Sequence, residues 1–177
     1  SIFIQFDTSK NIIEKEGLVE EDEYQRNIIN SLYGTGMIDE KYMSIHKKLN
    51  EKGTSKFTII SCQFSLHYYF ESKLTFMGYI RNISENCAKN GYFIGCCYNG
   101  KRIYERLKDP EPFEYKNKYG GIIYKIEKKY DIDSFEYTDN DDEMFGHKIT
   151  VEMESIGKPI DEYLVNFDYF TKVMNEN

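Results

Sequence analysis

The chain has 177 residues, 40% of them hydrophobic and 30% charged, which fits one folded domain or a large piece of one and excludes a disordered polymer. Its net charge of -7 excludes a general nucleic-acid coat, which would need basic side chains to neutralise phosphates. No apolar run approaches the ~20 residues that cross a bilayer, so no membrane partner is expected.

The opening Ser1-Ile2-Phe3-Ile4-Gln5-Phe6-Asp7 is too short and too acidic for a signal peptide. Residues 2–6 read as a buried strand that ends at Asp7-Thr8-Ser9. Residues 19–33 begin with Glu20, Glu21, Asp22 and Glu23 and carry apolar side chains at Tyr24, Ile28, Ile29 and Leu32. That spacing predicts a helix with acid where its dipole favours it. Gly34-Thr35-Gly36 follows a helix rather than a strand, so it is read as a C-cap and turn and not as a phosphate loop. A short helix is predicted over 41–49. Residues 56–62 form a nearly continuous β-branched run, as in strands buried on both faces. Phe76, Ile80, Ile83 and Cys87 place a helix over 72–90, closed by Asn90-Gly91. Residues 92–97 read as another buried strand, and 101–107 as a short helix. This order is that of a parallel sheet with crossover helices. Beyond Asp109 the character changes: Pro110 and Pro112 mark a loop, 121–129 and 148–154 read as strands, and the acidic stretch between them as a solvated excursion. A final helix is predicted over 160–174, with Tyr163, Phe167, Phe170 and Val173 on one side.

Cys62, Cys87, Cys96 and Cys97 contain no Cys-x-x-Cys, and His46, His67 and His147 lack zinc-finger spacing. Free thiols in a reducing compartment and no metal site are expected. In open α/β sheets ligands bind beyond the carboxyl ends of the strands. Two such ends stand out, Asp7-Thr8 and the segment Gln63-Phe64-Ser65-Leu66-His67-Tyr68. Crowded Gln, His and Tyr point to a site there; equally, His67 and Tyr68 can start a helix with His67 inert.

The run Ser61-Cys62-Gln63-Phe64-Ser65-Leu66-His67-Tyr68, then Arg81-Asn82-Ile83-Ser84-Glu85, then Gly91-Tyr92-Phe93-Ile94-Gly95, resembles the mRNA cap guanine-N7 methyltransferases. Glu162-Tyr163-Leu164-Val165-Asn166-Phe167 resembles a later motif of that family, most of all in the capping enzymes of giant DNA viruses. Two positions depart from the pattern: Asn90 replaces a Gly, and Asp161 stands where Pro is usual. The resemblance implies an α/β, Rossmann-like, S-adenosylmethionine-dependent methyltransferase fold. It further implies transfer of a methyl group from that cofactor to N7 of the 5' cap guanine of mRNA.

By position, the resemblance implies that Asp7 and Thr8 contact the adenine of S-adenosylmethionine and Gln63 its methionine part. Phe64, His67 and Tyr68 would lie between cofactor and guanine, with Tyr68 touching both, and Glu162 would read the guanine edge. Guanine N7 has a free lone pair, so no residue is needed as acid or base. His67, Tyr68 and Glu162 act by positioning and by field. Read without the resemblance, Phe64 is simple core and Glu162 a helix-start acid favoured by the dipole. Tyr98 stands where the family often has a Pro against the guanine. Lys101, Arg102, Arg106 and Lys108 either meet the cap phosphates or form a solvated helix face.

No Asp/Glu-x-Gly-x-Gly follows a strand anywhere in the chain. The first residue lies in what resembles the family's fourth strand, and the last falls where the family continues into closing strands. An incomplete domain over 1–177 is therefore expected, with an α/β sheet portion at 1–109, cap-side strands and helix at 110–177, and an exposed sheet edge. The implied partners are a capped mRNA 5' end and the triphosphatase and guanylyltransferase parts of a capping enzyme. The implied location is intracellular, in the cytoplasm (a viral factory or virion) or the nucleus. Two other readings stand beside this one. One is a noncatalytic, methyltransferase-like stimulatory subunit of a capping enzyme. The other is a related methyltransferase for a small molecule or another RNA base, since fold alone does not set substrate.

Overall fold

The computed structural model describes residues 2–18, 22–109 and 112–177. Glu20, Glu21 and Pro110, which enter the predicted elements, lie outside the described residues. The chain forms two compact units, one of Ser1–Ser61 with Met77–Ile94, the other of Cys62–Phe76 with Gly95–Asn177. Three elements run through both: β1 (Phe57–Gln63), α4 (Lys73–Asn86) and β2 (Cys87–Cys96).

In the first unit, α1 (Glu23–Tyr33) starts at Asp22, whose side chain caps the Gln25 amide, and ends at Gly34 in the left-handed region. It buries Ile28 and Ile29 but leaves Tyr24 exposed. A 3-10 turn at Glu40–Tyr42 leads into α2 (Met43–Leu49), where a helix was predicted. Residues 2–6 are not the expected buried strand: Phe6 makes one antiparallel bridge to Leu18, and Phe3 is 85% exposed. The backbone there is met by a side chain and a turn instead of a ladder. Gln25 accepts from the Gln5 amide, and the Gly17 carbonyl accepts from Asp7.

Strands β1 and β2 pair as a two-stranded sheet. A Cβ on Gly91 would meet the Thr58 carbonyl, one on Gly95 would meet that of Cys62, and the Phe64 amide donates to Cys96. Partner numbers rise together along both strands, so the pair is parallel, as predicted. Burial on both faces is not realised: along β1 only Cys62 is buried, and Ile59, Tyr92 and Ile94 are exposed. A two-stranded ladder offers no neighbouring strands to cover them. Helix α4 also ends earlier than predicted, and 87–90 join the strand. Asn90 adopts φ +64° inside β2 rather than capping a helix. Periodicity could not separate these outcomes, because a left-handed Asn ends helices and kinks strands alike.

The second unit carries α3 (Leu66–Tyr69), α5 (Gly100–Arg106) and a meander of β3 (Phe113–Lys116), β4 (Ile122–Lys128), β5 (Lys148–Met153) and β6 (Ile160–Tyr163), all antiparallel. It ends in α6 (Phe167–Glu176). The predicted strands at 121–129 and 148–154 are present as β4 and β5. β3 was missed behind the prolines; Asn117 builds its hairpin turn by accepting from the Tyr119 and Gly121 amides. The predicted helix over 160–174 is split. Residues 160–163 pair with β5, and the helix starts only after Asn166, whose side chain caps the Tyr169 amide. The acidic stretch is solvated at Asp131, Asp133, Glu136 and Asp139, yet it sinks Phe135, Met144, Phe145 and His147 into the unit. Phe70, Phe76, Phe145 and Tyr169 form one aromatic cluster, with centroids 4.9 Å apart for Phe70–Phe76 and 5.6 Å for Phe76–Tyr169. A second cluster joins Tyr104, Leu107, Phe135, Ile149, Val151 and Leu164.

Candidate functional site

The carboxyl ends of β1 and β2 lie side by side in the second unit. Gln63 closes β1 and accepts from the Cys96 thiol at 2.9 Å. Phe64 follows with φ +50°, a left-handed conformation costly for a bulky residue. It is held there by the 2.8 Å bond from its amide to Cys96. Its ring is 61% exposed, which removes the reading of Phe64 as simple core. The chain then enters α3, which buries His67 and leaves Tyr68 partly exposed.

Glu162 reaches the same place from the far side of the meander, and its pleat phase explains how. It pairs in register with Ile149, one of the most buried residues of the core. Directly opposed residues share a face of the sheet, so Glu162 faces inward. Its neighbour Asp161 opposes Thr150, faces outward, and pairs with Lys148 at 3.0 Å. The helix-start reading of Glu162 is thereby corrected: it lies on a strand, and no helix dipole accounts for it.

His67 Nε2 and Glu162 Oε1 are 3.6 Å apart, beyond hydrogen-bond reach. Both side chains are almost fully buried. Burial pushes the His67 pKa down to about 4 and the Glu162 pKa up. At neutral pH the imidazole is therefore uncharged, and the contact is not a salt bridge. Among the described residues, both ring nitrogens of His67 and Oε2 of Glu162 have no hydrogen-bond partner. Buried polar atoms without partners each cost about 1–3 kcal/mol, a cost that a hydrogen-bonding group placed against them would offset.

Aromatic rings surround the pair. Tyr68 packs edge-on against His67 with centroids 4.3 Å apart. Tyr98, just past β2, lies nearly parallel to the His67 ring at 6.3 Å and edge-on to Phe64 at 6.4 Å. Burial raises the Tyr68 and Tyr98 pKa, and the Glu162 charge adds to both. Burial, with Cys62, Cys96 and Glu162 nearby, lifts Cys97 to about 11, so its thiol stays protonated. Tyr98 is the site member that sequence reasoning left aside; its place beyond a strand's carboxyl end was the available signal. The following turn is tight, since a Cβ on Gly100 would collide with the Val165 carbonyl.

Asp7 and Thr8 belong to the first unit. Asp7 forms a turn by accepting from the Ser9 amide and hydroxyl. The Thr8 carbonyl accepts from Asn82 at 2.9 Å. Asn82 also donates to the Lys10 carbonyl and accepts from the Ile12 amide, while Glu85 accepts from Asn11. Arg81 bridges Glu85 and Glu14. Within that unit the Arg-Asn-x-Ser-Glu motif thus does the work of a clamp on the loop that carries Asp7 and Thr8, a role its spacing alone did not disclose.

Buried polar atoms without partners among the described residues, ringed by aromatic side chains at the ends of parallel strands, mark the candidate site of this α/β protein. The mRNA (guanine-N(7))-methyltransferase domain family matches residues 4–177, and the chain belongs to that family. It is 29% identical over 129 residues to a probable mRNA-capping enzyme of Acanthamoeba polyphaga mimivirus, covering 69% of this chain and 10% of that protein. It is 30% identical over 127 residues to an mRNA cap guanine-N(7) methyltransferase of Aspergillus niger, covering 70% and 19%. The corresponding protein of Saccharomyces cerevisiae is 28% identical over 122 residues, covering 67% and 27%. The chain spans roughly a quarter or less of the length of these relatives. Among the described residues no helix is long and apolar enough to cross a membrane.

Proposed function

We propose that this chain supplies the guanine-reading part of an enzyme that methylates N7 of the 5' cap guanine of mRNA. The observation that carries the reading is the partnerless Glu162 Oε2, buried beside a neutral His67. Guanine offers N1–H and N2–H, two donors side by side, whereas adenine offers no such pair. A buried carboxylate that accepts both recovers what its desolvation cost, and it steadies the positive charge that the base acquires on methylation.

His67, uncharged, places no positive charge against that developing cation. The exposed faces of Tyr68 and Phe64 favour a cationic ring or sulfonium. Tyr68, next to His67, is assigned to both reactants. S-adenosylmethionine, when bound, supplies an electrophilic methyl group. Gln63, at the end of β1, is assigned to its methionine end. Because N7 carries a lone pair, these residues need only align the reacting atoms and exclude water. We place the capped mRNA 5' end as the substrate, and the other parts of a capping enzyme as the partners.

Calorimetric titration with GpppA and ApppA tests the reading. Wild-type chain should prefer GpppA, and Glu162→Gln should abolish that preference, about tenfold or more, since two charge-assisted bonds are lost. The preference should also fade as pH drops through the raised Glu162 pKa, because protonation removes the acceptor. Equal weakening of GpppA and ApppA by Glu162→Gln would defeat the assignment.

A further inference from the structure

The four cations of residues 101–108 are not equivalent. Lys101 pairs with Glu136 at 2.8 Å and Lys108 with Glu105 at 2.6 Å. Arg102 and Arg106 sit four residues apart on one face of α5, and neither has an ion-pair partner among the described residues. Two like charges at that spacing repel. They border a cavity of about 660 Å³ whose other walls include Tyr98, Phe113, Tyr124 and Met153. The Arg106 guanidinium lies over the Phe113 ring at 4.3 Å. In a chain of net charge -7, a hollow lined by aromatic and aliphatic side chains and rimmed by two guanidiniums without an ion-pair partner among the described residues is a local exception.

We infer that this cavity takes the first transcribed nucleotide of the RNA, its phosphate on Arg102 and its base against the Arg106–Phe113 platform and the neighbouring tyrosines. The inference rests on the cap-methylating reading and extends it from the guanine to the chain behind it. Three observations carry it. Guanidinium planes and aromatic faces are the surfaces on which unpaired bases stack, and unpaired guanidiniums complement phosphate. The volume matches a site for one small ligand. The cavity also adjoins the guanine site through a shared wall, since Tyr98 borders it while its ring faces His67 and Phe64. A peptide would match the apolar walls but gives no reason for two arginines that lack an ion-pair partner among the described residues.

The test uses the 177-residue chain with a 3'-labelled, GpppA-capped pentanucleotide, read by fluorescence anisotropy against salt, with GTP as the cap-only control. Both arginines are exposed, so their removal leaves the core intact. Arg102→Ala should weaken the capped RNA about tenfold and lower the salt slope by about 0.7, the value of one single-strand phosphate contact. Arg106→Ala should weaken it about tenfold through lost stacking. GTP affinity should not change in either. As a readout independent of variants, RNA carrying 4-thiouridine at the first transcribed position should crosslink to residues 98–106 or 113–126. Unchanged RNA affinity in both variants, equal loss for GTP, or crosslinks confined elsewhere would overturn the inference. If wild-type chain binds capped and uncapped triphosphate RNA equally while crosslinking in the cavity, the cap reading fails and the cavity assignment stands. No RNA binding at all would overturn both.

Discussion

Replacing His67 by Phe tests whether the imidazole is held neutral by burial. The two side chains are similar in size, and the ring lies among Tyr68 and Tyr98, so packing is conserved. The unfolded chain protonates His67 near its ordinary value of about 6.5, whereas the folded chain resists until about 4. The folded value is depressed, so its stability is complete above 6.5 and is lost as pH falls from there through 4. Between pH 7 and pH 4.5 the unfolded state gains about 2–3 kcal/mol from this one group. Glu162 titrates in the opposite sense, because its folded pKa is raised, so the comparison belongs in a Glu162→Gln background. His147 is also depressed by burial, and it is common to both proteins. Urea unfolding at pH 7 and pH 4.5 should show His67→Phe losing about 2–3 kcal/mol less than its parent on acidification. At pH 7 it should be no less stable, since two partnerless nitrogens are removed. Identical acid sensitivity in the two proteins would refute the burial argument.

Phe64 gives a separation of strain from function. At φ +50° glycine fits without steric cost, so Phe64→Gly should hold unfolding free energy within about 1 kcal/mol of wild type, whereas Phe64→Val should lose about 1–2 kcal/mol. Both should weaken GpppA binding by calorimetry, having lost the exposed ring. Asn82→Ala should cost about 1–3 kcal/mol, because it leaves the Thr8 and Lys10 carbonyls and the Ile12 amide without that side chain. Hydrogen exchange should then accelerate over residues 8–12 while α6 stays protected.

Much of this molecule was written locally. Asp22 and Gly34 bracket α1, and Asn99 starts α5 by capping the Arg102 amide, through side-chain and backbone chemistry that needs no distant partner. The membership of the family was legible for the same reason, since one of its motifs, Gln63 to Tyr68, occupies one short segment at one strand end. Glu162 was legible by resemblance alone, and its surroundings were misread as a helix: Ile160-Asp161-Glu162-Tyr163 suits either period, and pairing with β5 settled the matter. Burial of β1 and β2 was overestimated because an apolar run records what a strand tolerates on its faces, not what covers them. Short-range spacing and capping therefore determined α1, α2, α5, β4 and β5, and the motif at the end of β1. Only the tertiary structure decided that Glu162 rather than Asp161 faces His67, and that Arg102 and Arg106 rather than Lys101 and Lys108 lack an ion-pair partner among the described residues. Those choices depend on strand register and on residues far apart in the chain, and a one-residue slip would reverse the first of them.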